Sequence, residues 1–461
     1  MKIEDILNDT RGATHIIATL KEKPFVLRPW KGSKGLQREY ESKYHPVMNK
    51  AKYPDIAKSG EPIEEVTRIT LDFQQLAVKR MTELVCGIPV KRVYKPENDK
   101  QKEIATWIEN IYERNRIDSV NVERCNQLFS GCEIMTLWYA VEQPTNIYGF
   151  NSKMKLRCRT FSPVNGDELY PLYDEYGDMI AMSIAYMRKK GGKQVNYFEC
   201  YTADRHIKWT NESSDWVVVE DEGISILKIP AIYCYRPTPI WEETSHIVYE
   251  MEWALSRNGN YLRKNSKPIF CVFADEQIAY GDEKREESRS VMQYPQGSSA
   301  SYVTWQQAVE NLKFYINELR NSFFTQLQLP DWSYEKMSQQ AMSGESRKQL
   351  FIDSQLKVKD ESGRLLEFFD RETNVIKAFL TVIAPSGYET DIEALPVENI
   401  ITPFSINDDK DTINNLVTAT GGKAIMSQRE AVENLGWSKD VDKTMEQIET
   451  EAIQNVFPRY E

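Results

Sequence analysis

The stretch Thr304–Pro330, TWQQAVENLKFYINELRNSFFTQLQLP, decides how the rest of the chain is read. Trp305, Ala308, Val309, Leu312, Tyr315, Ile316, Leu319, Phe323 and Leu327 recur at three- and four-residue spacing, so they share one face of a helix. Thr304 and Gln307 fit a capping box, in which hydroxyl and amide satisfy each other's backbone donors. Pro330 ends the helix, whose ~25 residues span roughly 38 Å. On its N-terminal side lies an excursion, Pro268–Val303, with a strand-like Ile269–Ala274 and a charged Asp282–Arg289. Before that, positions 247, 248, 251, 254, 255, 261 and 262 predict a second helix over 244–265, which Pro268 prevents from continuing. On the C-terminal side a polar segment, Asp331–Ser343, leads into a helical pattern over Gly344–Ala384, in which Gly363 is a candidate point for a bend. Its ~40 residues would reach about 60 Å, far beyond the usual helix of a compact domain. Two long helices split by a small module fit a free-standing globule poorly. They make sense if each subunit supplies two staves to a ring.

Further outward, apolar spacing predicts helices over Glu61–Cys86, Asp99–Asn115 and Ser119–Ser130, the first stopped by Gly87-Ile-Pro89 before an extended Val90–Tyr94. Residues 133–240 change character. Glu133–Val141, Lys155–Phe161, Met179–Arg188, Val195–Thr202, Ile207–Thr210, Trp216–Val219 and Ile224–Tyr235 are rich in β-branched and aromatic residues and predict hairpins. Beyond a strand-like Glu398–Ser405, helices are expected over Asp408–Thr420, from a Ser427/Glu430 capping box to Gly436, and over Val441–Val456 behind an Asp440 cap. No internal repeat is evident. The fold class is α+β.

Composition sets the chemical limits. The 461 residues carry 58 Lys plus Arg and 69 Asp plus Glu, a formal charge of -11. Residues 385–461 hold 6 basic and 15 acidic side chains, so most of the acidity is C-terminal. A gripping DNA-binding domain would need a basic stripe instead. No apolar run approaches the ~20 residues of a membrane span, and the first residues lack the apolar core of a secretory signal. Seven cysteines, odd in number and without a CxxC pair, read as reduced buried thiols. The four histidines, His15, His45, His206 and His246, show no metal or triad spacing and read as ordinary surface or interface residues. No metal site and no cofactor is expected. Gly191-Gly192-Lys193 and Gly421-Gly422-Lys423 lack the rest of a Walker A loop and read as a hairpin turn and a helix C-cap. Nothing in the sequence is a positive sign of an enzyme.

The order of elements resembles that of tailed-bacteriophage portal proteins, siphophage type, across nearly the whole chain. Four stretches carry the likeness: Arg68–Phe73 through Leu84–Pro89; Phe161-Ser-Pro163 with Tyr170–Asp174 and the strands at Ile184–Tyr186 and Tyr197–Thr202; Ile229-Pro230 leading to the helix at Ser245; and Met342-Ser343-Gly344 opening the long helix, backed by Ser427, Glu430, Leu435, Gly436, Trp437, Asp440, Glu446 and Glu449 in the tail. The resemblance implies an α/β wing over residues 1–240, with 385–405 returning to it. It implies stem helices at 241–267 and 304–329, a clip at 268–303, a tunnel loop at 330–343, a long tunnel helix at 344–384, and an α-helical crown at 406–461. It implies a dodecameric ring at one capsid vertex of the virion, made in the host cytoplasm. Its partners would be double-stranded DNA, the terminase large subunit, a head-completion adaptor, and major capsid and scaffolding proteins, with no membrane.

Under that resemblance Trp332, Tyr334, Lys336, Gln339 and Gln340 are expected in the tunnel loop. Asp282, Glu283, Lys284, Arg285, Glu286 and Arg289 form the expected clip surface for terminase or adaptor. Trp305, Tyr315 and Phe323 are expected to pack between neighbouring subunits, although a helix face inside one subunit would look the same. Two other readings fit the same residues: a nucleic-acid-processing enzyme with an unrecognised acidic site, and a non-viral ring scaffold.

Overall fold

A computed structural model describes residues 3–22, 32–57, 63–212, 215–265, 269–273, 299–303, 309–329, 331, 352–403, 409–421, 424–438 and 441–456. Helices α1 (Ile3–Leu7), α2 (Ala13–Lys21) and α3 (Gly32–Tyr40) precede α4 (Phe73–Cys86), strand β1 (Lys91–Tyr94), α5 (Asp99–Arg114) and α6 (Ile117–Gly131). The β-rich region then folds as β2 (Glu133–Thr145), β3 (Ser152–Phe161), β4 (Glu168–Tyr173), β5 (Met179–Lys190), β6 (Lys193–Tyr201), β7 (Arg205–Thr210), β8 (Val217–Gly223) and β9 (Ala231–Tyr235). Strands β4 to β8 form an antiparallel meander in sequence order, while β3, β2 and β9 make a second sheet with β2 in the middle. Strand β4 was not anticipated, because Pro171 interrupts its pattern; it stands at a sheet edge, where a missing N–H is tolerated. The β5–β6 hairpin turns at Gly191 and Gly192, both with positive φ (57° and 85°), as the glycine pair led one to expect.

Period-2 alternation sorts these strands into layers. One face of the five-stranded sheet, with Tyr170, Ala181, Phe198, Ile207 and Trp209, is covered by Ile6, Ile16, Ile17 and Leu20 of α1 and α2. Its other face packs Met182, Ile184 and Tyr186 against Met135, Leu137 and Tyr233 of the second sheet. The far side of that second sheet, with Ile134, Trp138, Leu156 and Ile232, meets the helical core of α4, α5, α6 and a long C-terminal helix.

The remaining elements are α7 (Ser245–Asn265), β10 (Ile269–Phe273), β11 (Ser299–Val303), α8 (Val309–Leu327), α9 (Ile352–Ile383), α10 (Glu389–Ala394), β12 (Val397–Ile400), α11 (Asp409–Thr420), α12 (Gln428–Leu435) and α13 (Val441–Val456). Strands β10 and β11 pair antiparallel, and β12 returns to pair with β1, Lys91 opposite Ile400. Helix α9 has 32 residues and includes Gly363 within its span. The Ser427/Glu430 capping box is present, and Gly436 caps α12 at φ 70°. The Thr304/Gln307 and Asp440 caps lie outside the described residues.

One expectation is overturned. Helix is predicted from Glu61, but α4 begins at Phe73, and the described residues before it are not helical. Their apolar spacing is real, yet their backbone donors are taken by side chains of α7.

Helix α9 is fixed by two bidentate ion pairs, at Glu361 and Glu372, eleven residues or about three turns apart. Arg236, just after β9, meets Glu361 at 2.8 and 3.2 Å. Arg124 of α6 meets Glu372 at 2.7 and 3.1 Å, both side chains being essentially without solvent contact. Trp138 Nε1 of β2 donates to the same carboxylate at 2.8 Å, and Asn121 accepts from Arg124 at 2.8 Å. Removing one partner would strand a buried charge. Arg124→Met is therefore expected to cost about 3–5 kcal/mol of stability. The double change Arg124→Met/Glu372→Leu should recover much of it. Denaturant unfolding checks this; a single variant as stable as the parent would contradict the role given to the pair.

Candidate functional site

The long helices form the candidate site. Tyr315 of α8 donates to Glu250 Oε1 of α7 at 3.1 Å, holding the two side by side. At one end both enter the core: Val248 and Met251 of α7 are buried, as are Phe323, Phe324 and Leu327 of α8. Each also shows an apolar side chain to solvent among the described residues, Leu262 of α7 at 52 % and Phe314 of α8 at 70 % exposure.

Helix α7 is locked from Glu252 to Asn260 by a polypeptide strap. Thr67 N donates to Asn260 Oδ1 at 2.5 Å, Ile69 N to Ser256 Oγ at 2.8 Å, and Leu71 N to Glu252 Oε1 at 2.8 Å. The strap thus runs antiparallel to the helix. Alternate N–H groups of an extended chain repeat at about 6.7 Å, and every fourth helical residue at about 6 Å, so the two ladders stay in step. Gly259 permits this approach, since a Cβ there would lie 2.8 Å from Thr67 Cγ2. Glu252-x3-Ser256-x3-Asn260 was readable as a polar stripe on the core side of the helix, but sequence reasoning passed over it.

His45 completes the lock, and it overturns the expectation of a surface histidine. It is 1 % exposed. Its Nδ1 lies 2.6 Å from Glu252 Oε1 and its Nε2 2.9 Å from the Glu39 carbonyl oxygen. Both ring nitrogens face acceptors, an arrangement that suits an imidazolium. Burial opposes that charge, but the hydrogen bond and charge of Glu252 prevail and raise the His45 pKa.

The segment expected to line a channel is closed at its base. Ser354 Oγ at the start of α9 donates to the Gln328 carbonyl at 3.0 Å, and Arg320 of α8 pairs with Asp331 at 3.2 Å. The end of α8 and the start of α9 therefore stand side by side. Trp332, Tyr334, Lys336, Gln339 and Gln340 themselves lie outside the described residues. So do Asp282, Glu283, Lys284, Arg285, Glu286, Arg289 and Trp305. Tyr315 is exposed and bonded within the chain. Phe323 is fully buried in the chain's own core, its ring 5.0 Å from that of Phe73, so an intrachain contact replaces the expected contact with a neighbour.

A second polar cluster surrounds Glu199 in a cleft of about 460 Å³ between the two sheets. Tyr186 and Tyr201 each donate to its carboxylate at 2.5 Å, and Lys208 lies at 3.5 Å. Burial opposes ionisation, but His206, the two tyrosines and Lys208 outweigh it and bring the pKa to about 2. A carboxylate so fully satisfied ties β5, β6 and β7 together and is not poised to take up protons. Among the described residues no group of His, Cys, Asp and Glu could hold a metal ion, and no helix is long and apolar enough to cross a membrane. Cys86, Cys125, Cys132, Cys158, Cys200 and Cys234 are free thiols.

A sequence model of the family described as "Phage portal protein, SPP1 Gp6-like" matches residues 33–456. The chain belongs to the phage portal protein family. A search of curated protein sequences finds no significant match. Among solved structures, the chain is similar to one from the neck of an empty gene transfer agent (GTA) particle computed with C6 symmetry, with 11 % identity, 92 % of this chain and 98 % of that one covered, and a TM-score of 0.46. Similar too are chains from the neck of the native GTA particle computed with C12 symmetry (11 %, 92 % and 98 % covered, TM-score 0.43) and from the native GTA virion (11 %, 92 % and 98 %, 0.41). As a phage portal protein, the chain is a virion component of a structural family.

The His45–Glu252 pair gives a signed pH dependence. A raised native pKa means that its stabilisation is full below the unfolded value, about 6.5, and fades as pH climbs through the native one. The gap in unfolding temperature between the portal protein and His45→Gln should therefore be widest near pH 6 and narrow steadily at alkaline pH. A gap independent of pH would contradict the charged pair.

Proposed function

We propose that the portal protein forms a dodecameric ring at one capsid vertex, through which double-stranded DNA passes during packaging and ejection. The ring also serves as a platform for the terminase large subunit, the head-completion adaptor, and the capsid and scaffolding proteins. It does not act as an enzyme in this reading. The observation that carries it is the helix pair α7–α8, packed into the core through Met251 and Phe323 while Phe314 stands 70 % exposed. A bare apolar face such as that of Phe314 is satisfied when identical subunits stand side by side, and a repeated head-to-tail contact that closes makes a ring. Residues 1–240 with 385–405 then serve as the wing, 241–267 and 304–329 as the stem, 268–303 as the clip, 330–343 and 344–384 as tunnel loop and tunnel helix, and 406–461 as the crown.

A conduit has to touch DNA weakly. A wall lined with many cations would hold the duplex through counterion release. In this reading Trp332, Tyr334, Lys336, Gln339 and Gln340 offer one cation among polar and aromatic tips. The clip run Asp282–Arg289 offers terminase or adaptor a mixed-charge surface. Bringing the chain ends at Gln328 and Ser354 together supports a loop projecting from the helix pair. Particles built with Tyr334→Ala/Lys336→Ala are expected to assemble normally and to package or retain less DNA. Unchanged DNA yield and retention would remove these residues from the channel.

A further inference from the structure

Cys86 ends α4 and Cys125 lies in the middle of α6, and their sulfur atoms stand 2.6 Å apart in the core between the two helices. Their surroundings are apolar, with Val85, Leu128 and Phe129 in the same cluster. A reduced cysteine in such a place packs as a small hydrophobe. Packing alone gives no reason for two of them to meet sulfur to sulfur. A disulfide closes at about 2.05 Å, so the two atoms have only about half an ångström to travel.

We propose that Cys86 and Cys125 form a disulfide, reduced while the chain is made inside the cell and joined once the particle is released into an oxidising medium. Cells keep thiols reduced, whereas virion surfaces are among the places where disulfides form and persist. A virion component meets both conditions in turn. The oxidant class that suits a buried pair is a small peroxide. Cys86 is 7 % exposed and Cys125 fully buried, so Cys86 meets the oxidant first. Its sulfur attacks one peroxide oxygen, the O–O bond breaks, and a sulfenic acid and one water result. The Cys125 sulfur then displaces the sulfenic hydroxyl, which leaves with the Cys125 proton as a second water. Two thiols have lost two protons and two electrons, and one peroxide has become two waters. The neighbouring Cys86 sulfur and burial both raise the Cys125 pKa, so Cys125 stays an unreactive thiol until the sulfenic acid forms beside it.

The bond would fasten α4 to α6 one residue from Arg124, whose pairing with Glu372 positions α9. It would close a loop spanning 39 positions that contains β1 and α5. Constraining a loop of that length in the unfolded chain stabilises the folded one.

The test uses the full-length protein purified in reductant, one half of which is then freed of reductant and treated with a few equivalents of hydrogen peroxide. Both halves are denatured in N-ethylmaleimide without reductant, digested and weighed by mass spectrometry. The peroxide-treated half should yield the Cys86 and Cys125 peptides joined and lighter by two hydrogens, with Cys158 and Cys200 alkylated as before. Its unfolding temperature should rise by several degrees. Cys125→Ser should abolish both changes, and Cys158→Ser should keep both. Linkage is read on the parent chain, so it does not depend on how either variant folds. In infected cells treated with N-ethylmaleimide before lysis the pair should be alkylated, and in released particles it should be joined. Full alkylation of both residues after peroxide, Cys125 joined to Cys234 instead, or separate oxidation of the two sulfurs to sulfinic acids would overturn the proposal. So would a bond that forms only when the protein is unfolded before oxidation, or released particles in which both thiols are still alkylated.

Discussion

The carboxylate of Glu372 sits where three layers meet, and it cannot be there without Arg124. A carboxylate removed from water loses several kcal/mol of hydration. Here two guanidinium N–H groups and the Trp138 indole N–H replace that water. The replacement demands that α6, β2 and α9 hold one mutual position, because bidentate geometry does not stretch. Nearby, Tyr112 and Thr373 share a hydrogen bond at 2.9 Å, and Asn399 donates to Asp370 at 2.8 Å, carrying the same register to α5 and to the strand that returns after α9. Hydrophobic burial supplies the bulk of the stability. The ion pair selects which arrangement of helices receives it.

From that fixed frame the helix pair extends. It is gripped twice, by apolar packing around Phe323 and by the strap that follows α7 from Glu252 to Asn260. A free chain with Phe314 so exposed pays a hydration cost that a neighbouring copy would remove. In a ring of identical chains, rigidity in the frame and complementarity at the staves are both needed for closure.

Much of this was legible in the residues, and the limits have physical causes. Helix α13, the Ser427/Glu430 cap, the Gly191-Gly192 turn and the alternating strands follow from local rules and were read within a few residues. The strap was misread because an apolar repeat near three and four residues is equally available to an extended segment packed on a helix; what decides is where Thr67, Ile69 and Leu71 find acceptors, 181 to 193 residues away. His45 was misread for the same reason, since its partner Glu252 is 207 positions distant. Phe323 illustrates an ambiguity that sequence cannot resolve, as an aromatic on a helix face looks identical whether its partner is Phe73 or a neighbouring subunit.

The charge distribution also acquires a spatial sense. Residues 385–461 carry 6 basic and 15 acidic side chains, and with them most of the net charge of -11. The account stands or falls on assembly. Electron-microscopic imaging of the purified full-length chain, with its mass in solution, is the direct measurement. The account predicts closed rings with a central opening wide enough for a B-form duplex, formed without added partners or nucleotide. A monomer at all concentrations, its α7–α8 face covered by its own chain, would contradict it.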